Sequence, residues 1–184
     1  MACDLLTNRM GVFAELASKS GRRFGRTALM KLCYFLQEVK EVPLNYDFSL
    51  YTYGPFDSEV LADLQTAEEL NILATEFEQY PGGYGYSIGV GQLADKVRRQ
   101  AREFLLEHLE EIDWAAETLA SKKPADLELA STIVFVFKEK PSSSDDTLVK
   151  LVRSVKPHFS DPEVRSQMQW LRDHNLLEAQ TVAH

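Results

Sequence analysis

The chain has 184 residues, 45% of them hydrophobic and 26% charged, a globular balance that suits one domain with a sizeable core. No apolar run approaches the roughly 20 residues that span a bilayer, the opening MACDLLTNRM lacks the basic and apolar segments of a secretory signal, and Cys3 and Cys33 form no metal or redox spacing, so a reduced, cytoplasmic protein is expected. Net charge is −8 and unevenly spread: Glu41 to Asp95 holds ten carboxylates and no Lys or Arg, with Lys19, Arg22, Arg23, Arg26 and Lys31 before it and Lys96, Arg98, Arg99 and Arg102 after it.

Leu5, Leu6, Val12, Phe13 and Leu16 mark a first helix over Cys3 to Ser18, with Gly11 a weak point, and KSGRRFGR is a polar loop. Thr27 is placed to cap a second helix. That helix repeats apolar residues at Leu29, Leu32, Cys33, Leu36 and Val39 with Met30, Tyr34 and Phe35 widening the stripe. Cys33 reads as a small buried hydrophobe, and Lys31 as a residue of the polar side. Pro43 ends the segment, and DFSLYTY reads as a short strand that Gly54-Pro55 breaks.

Asp57 or Ser58 caps the next helix, and Glu59 suits its positive end. Val60, Leu61, Leu64 and Leu70 form its expected buried stripe, and Asn71 its stop. Pro81-Gly82-Gly83 then separates two strand-like runs. The second alternates Tyr84, Tyr86, Ile88 and Val90 against Gly85, Ser87 and Gly89, one face apolar and the other small or polar. Helices followed by a hairpin are the order of a winged helix.

From Gln92 the pattern predicts one long helix through Leu93, Val97, Phe104, Leu105, Leu109 and Ile112, then a shorter one from Trp114 to Ser121. ELASTIVFVF has a strand-like end but the length and the approach from Pro124 of a buried helix. KEKPSSSDD is a loop. Leu148 to Val155 gives a helix stopped by Pro157, and Ser160 and Glu163 have the capping-box spacing that opens a last helix with Pro162 in its first turn. The expected architecture is mainly α with a small β-hairpin or wing. One domain runs over 1–180, with a winged-helix-like lobe over 1–91, a helical bundle over 92–177 packed on it, and a frayed tail over 178–184.

Four segments together carry a resemblance: RTALMKLCYFLQE, YTYGPFDSEVLADL, LELASTIVFVFKE and VKPHFSDPEVRSQMQWLRDHNLLE. They resemble the YwgA-like family of bacterial and phage proteins and, more distantly, the Panacea (SocA-like) antitoxin domain. The shared pattern is a Lys-x-x-Tyr helix (Lys31, Tyr34), a Tyr-Gly-Pro before a helix (Tyr53, Gly54, Pro55) and a late Leu-Leu pair (Leu176, Leu177). The resemblance implies a mostly helical fold with a winged-helix-like core, reads ELASTIVFVF as helix and implies no enzymatic activity. Panacea-type proteins neutralise toxins or act as adaptors that present them for degradation.

Catalytic chemistry is hard to assemble from these residues. Gly89-x-Gly91-x-x-Ala94 follows a strand and opens a helix, but a dinucleotide site also needs a parallel strand and an acidic residue beyond the helix, so a plain strand-to-helix turn is the better reading. His108, His158, His174 and His184 share no metal-ligand spacing, with His108 on a solvated face and His174 suited to a helix end. No nucleophile elbow or phosphate loop is present. We therefore expect no enzyme, no catalytic residue, no cofactor and no metal. Nucleic acid is disfavoured through the winged helix, because Asp57, Glu59, Asp63, Glu68, Glu69, Glu76 and Glu78 would face phosphates with no compensating cation. The alternative is a DNA-binding regulator that works through Arg22, Arg23 and Arg26 or the Lys96 to Arg102 helix. The favoured expectation is a protein partner met by Lys31, Tyr34, Tyr51, Tyr53, Gly54 and Pro55, and a homo-oligomer is a further expectation. The competing reading of the tyrosines is plain core.

Overall fold

The computed structural model describes residues 2–20, 24–80 and 83–177. Among them are nine helices and two small antiparallel hairpins, so the fold is mainly α with a small wing. No helix among these residues is long and apolar enough to cross a membrane. The chain divides into two compact units, 1–48 with 56–122 and 49–55 with 123–184, whereas the sequence reading draws its line at 91/92. The tail expected over 178–184 lies outside the described residues.

In the first unit, α1 (Ala2–Lys19) runs unbroken through Gly11, where a side chain would meet the Ala101 Cβ at 2.4 Å. The expected weak point is thus a close approach. Helix α2 (Arg26–Glu38) starts after Gly25, an extended N-cap, so Thr27 lies inside the helix and caps nothing. Its residues from Ala28 to Leu36 are all buried. The helix therefore has no polar side there, and Lys31 is enclosed rather than solvated. Cys33 is buried, and burial pushes its thiol far above the ordinary range.

Helix α3 (Ser58–Glu69) is capped by Asp57, whose carboxylate accepts from the Glu59 N–H at 2.8 Å and from the Asp47 N–H at 2.6 Å. Its buried stripe is Val60, Asp63, Leu64 and Ala67, while Leu61 and Leu70 are exposed. Asn71 ends it with φ of 57°, a left-handed conformation that Asn tolerates. The wing follows as β3 (Leu73–Tyr80) and β4 (Gly83–Val90), paired over eight positions from Leu73↔Val90 to Tyr80↔Gly83. The expected long helix is broken into α4 (Ala94–Gln100), α5 (Arg102–Glu107) and α6 (Leu109–Thr118), with joints at Ala101 and His108. Trp114 belongs to α6, where its ring meets Phe35 edge-on and carries the Lys40 ammonium at 4.4 Å.

In the second unit, β1 (Ser49–Tyr51) pairs with β2 (Gly54–Phe56). Gly54-Pro55 therefore continues the backbone as a second strand where the sequence suggested a break. Helix α7 (Pro124–Glu139) settles ELASTIVFVF as helix, nearly all of it buried between Leu127 and Val136. Helix α8 (Asp145–Val155) is capped by Ser144. Helix α9 (Asp161–Asp173) opens with the expected capping box: the Glu163 carboxylate accepts from the Ser160 N–H at 2.7 Å and its hydroxyl at 2.6 Å. Two arginines of α9, Arg165 and Arg172, reach Asp146 and Asp145 of α8, each at 2.5 Å.

Candidate protein-interaction surface

The acidic block does not form the bare negative face that its linear sequence implies. Arg9, on the apolar stripe of α1 and only 3% exposed, lies under α3. Its guanidinium donates to Glu59 at 2.7 Å, to Asp63 at 3.2 Å, and to the carbonyls of Leu44 and Asn45 at 2.6 and 2.7 Å. It also stacks on the Tyr46 ring at 3.9 Å, and the Tyr46 hydroxyl donates to Asp63 at 2.8 Å. Burial opposes the Arg9 charge, but the Glu59 hydrogen bond and the surrounding negative groups outweigh it and hold the guanidinium above its ordinary value. Burial raises Asp63, against the pull of the Tyr46 hydroxyl and Arg9. Further along α3, Glu68 accepts from the Thr75 hydroxyl and pairs with Arg26 at 3.6 Å. The expectation that these carboxylates have no compensating cation is therefore corrected: Arg9 and Arg26 supply it from outside the block.

On the wing tip, Glu78 meets no cation among the described residues. From Glu76 to Gln79 every residue of β3 is exposed, although Ser87, opposite Glu76, is buried. Because neighbouring residues alternate faces, Phe77, Tyr84 and Tyr86 share one face and Glu76 and Glu78 the other, opposite Ser87 and Gly85. Phe77 is 60% exposed and Tyr84 72% exposed. The Phe77 ring lies 5.7 Å from Tyr84 and 5.8 Å from Tyr86. At the inner end of this row the Arg26 guanidinium covers Tyr86 at 4.1 Å. The sequence alternation located this face but not its exposure. The flanking Glu-Phe-Glu of β3, opposite glycine-rich β4, is the signal that solvent lies on both sides.

The predicted contact residues are divided. Tyr51 and Tyr53 are 65% and 68% exposed. Gly54 and Pro55 are buried. Gly54 has φ of +86°, and a Cβ there would lie 3.1 Å from Thr132 Oγ1 and 3.2 Å from Ser131 Oγ, so glycine is needed for conformation and for space. Lys156, also buried, donates to the Thr52 carbonyl and pairs with Glu128 at 2.8 Å, which ties this hairpin to α7. Lys31 and Tyr34 are buried, and Tyr34 packs edge-on against Phe35 and Phe48. Arg22 and Arg23 lie outside the described residues, and Arg26 is engaged as above.

The other basic cluster is partly spent. Arg98 pairs with Glu15 at 2.5 Å and Asp95 at 3.1 Å, whereas Arg99 and Arg102 are exposed and meet no carboxylate among the described residues. An open pocket of about 300 Å³ lies here, floored by Leu105 and Leu109. Gly91 explains the glycine pattern after β4: its N–H donates to Ile72 O at 2.8 Å, and a Cβ would fall 2.2 Å from Asn71 O. The motif is thus a crowded antiparallel turn. His174 Nδ1 lies 2.8 Å from Trp170 O, and the His108 ring meets Phe104 edge-on at 4.7 Å. Among the described residues no three His, Cys, Asp or Glu converge to hold a metal ion. Neither family models nor curated proteins give a match to this chain.

Proposed function

We propose that the protein is a non-enzymatic interaction module that meets another protein through the wing tip. One observation carries this reading: the Phe77 and Tyr84 rings stand in solvent on the wing tip, clustered with Tyr86, which Arg26 partly covers. Rigid aromatic area of this kind is what interface hot spots use, and a soluble chain rarely exposes such a cluster without a partner. An antitoxin-like or adaptor-like role is compatible with this surface and rests on the sequence resemblance alone.

The test is photo-crosslinking in an extract of the source cells with benzophenone-alanine in place of Phe77 or Tyr84, and at exposed Lys150 as control. Discrete protein adducts from 77 and 84 and none from 150 are expected. Phe77→Ser with Tyr84→Ser should remove the partner yet leave the unfolding free energy within about 0.5 kcal/mol, the range of exposed substitutions. No adduct from the wing would defeat the reading. Exposed Arg99 and Arg102 favour a second reading, DNA binding through that helix. A salt-dependent mobility shift lost on Arg99→Ala with Arg102→Ala would establish it, and no shift at low salt would remove it.

A further inference from the structure

Resting on the wing-tip reading above, we propose that the outer edge of β3 is the docking line, and that it takes an extended peptide segment with Lys or Arg at alternate positions. The backbone shows the vacancy. Ile88 turns its N–H away from β3, to Phe24 O at 2.8 Å, and Ile88 faces Thr75 across the ladder. Residues two apart in an antiparallel pair point the same way, so Phe77 and Gln79 turn their N–H and C=O groups outward from β4. Among the described residues no strand lies against that side. The eight-position register has no bulge, and Leu73 to Tyr80 contains no Lys and no Pro, so the charged protection of this edge is acidic and does not oppose a basic strand. Such an edge is a template for strand addition.

Charge selects the occupant. On an added strand, side chains on one face would sit beside Glu76 and Glu78, and those on the other beside Phe77, with Tyr86 and Tyr84 behind it. Carboxylates favour a cation directly across the ladder. The rings favour one too, and the chain already provides an example in Arg26 on Tyr86 at 4.1 Å. A second copy is the wrong occupant. Two β3 edges paired antiparallel about Phe77 would set Glu76 opposite Glu78 twice, which is destabilising. An acidic peptide and a nucleic acid fail for the same reason.

The experiment titrates the full chain with a fluorescein-labelled peptide of alternating lysine and valine, about eight residues long to match a strand. It is read by anisotropy and by amide hydrogen exchange. Saturable binding with new protection at Phe77 and Gln79 is expected. Glu76→Gln with Glu78→Gln should weaken it by between about twofold and thirtyfold, the range of two cross-strand charge pairs. N-methylation of alternate peptide amides should abolish it, because an electrostatic film would tolerate methylation and a strand ladder would not. Equal binding of a glutamate–valine peptide, indifference to N-methylation, no binding, or concentration-dependent dimers that pair through β3 would each overturn the proposal. If positions 77 and 84 crosslink a protein but the lysine–valine peptide does not dock, only the strand-addition inference falls. If they crosslink nothing, the wing-tip reading falls with it.

Discussion

Replacing Arg9 by Met tests how the first unit is held together. The substitution keeps the length and apolar stem of the side chain and deletes one buried charge. Four acceptors lose a donor: Glu59, Asp63, and the Leu44 and Asn45 carbonyls. Glu59 is half exposed and rehydrates, so its share is at most about 1 kcal/mol. Asp63 is buried and keeps only the Tyr46 hydroxyl among the described residues, and the Leu44 and Asn45 carbonyls lose the guanidinium. Stranding a buried charge costs about 3–5 kcal/mol, a large part of a total near 5–15 kcal/mol. At about 2–4 °C per kcal/mol for a chain of this size, the midpoint should fall by about 6–20 °C. Urea unfolding followed by Trp114 fluorescence in a Trp170→Phe background reports this unit alone. Adding Asp63→Asn should return at least about 1 kcal/mol, because contacting residues couple by about 0.5–3 kcal/mol. A loss below about 1 kcal/mol for Arg9→Met, or strict additivity in the double variant, would refute the assignment of Arg9 as the partner that makes Asp63 tolerable.

Lys156→Met should destabilise the second unit by about 3–5 kcal/mol for the same reason, as Glu128 is left buried, and hydrogen exchange should accelerate at Ser49 to Pro55 before other parts of that unit. Gly54→Ala should cost about 1–3 kcal/mol by forcing a side chain into a left-handed conformation against Thr132 and Ser131; an unchanged unfolding midpoint would contradict the backbone described here. The hydrogen bond from Arg172 holds Asp145 below the ordinary carboxylate range, and the Ser160 hydroxyl and N–H do the same for Glu163. These two groups add stability that is present above the ordinary values near 4 and lost as pH falls through the lower folded ones. Asp63, raised by burial, acts oppositely: its contribution is complete below about 3.9 and lost as pH rises through its folded value. Acid titration monitored at Trp170 should therefore show a loss that Asp145→Asn diminishes, whereas Asp63→Asn, which removes an opposing gain, should not diminish it.

Features written in local chemistry were legible in the sequence. The Pro81-Gly82-Gly83 turn marks the hairpin, Asp57 caps α3, and Ser160 with Glu163 forms the capping box of α9. Features that depend on a distant partner were not. Hydrophobicity alone sets the phase of the α3 stripe, so it draws Leu61 and Leu70 in and leaves Asp63 out. The true face, Val60-Asp63-Leu64-Ala67, reads as a stripe only once Arg9 stands opposite. Arg9 itself carried a faint signal: it lies four residues after Leu5 and seven before Leu16, on the apolar face of its own helix. Gly54-Pro55 looked like an end because a three-residue strand offers no periodicity to detect. Nothing in the local sequence accounts for the breaks at Ala101 and His108.

The charge argument changes its place in the molecule for the same reason. A cation-free run of sequence is not a cation-free surface, since α1 and α2 lend Arg9 and Arg26 to α3. Had every carboxylate of the block been matched this way, repulsion would give no reason to prefer a protein over DNA. On the wing tip, no cation among the described residues pairs with Glu78. Arg26 covers only the innermost ring, Tyr86, and Phe77, Glu78 and Tyr84 lie outward of it. The polarity that opposes a phosphate backbone thus survives on the segment where aromatic area and a vacant strand edge coincide, and these three properties together suit a basic polypeptide.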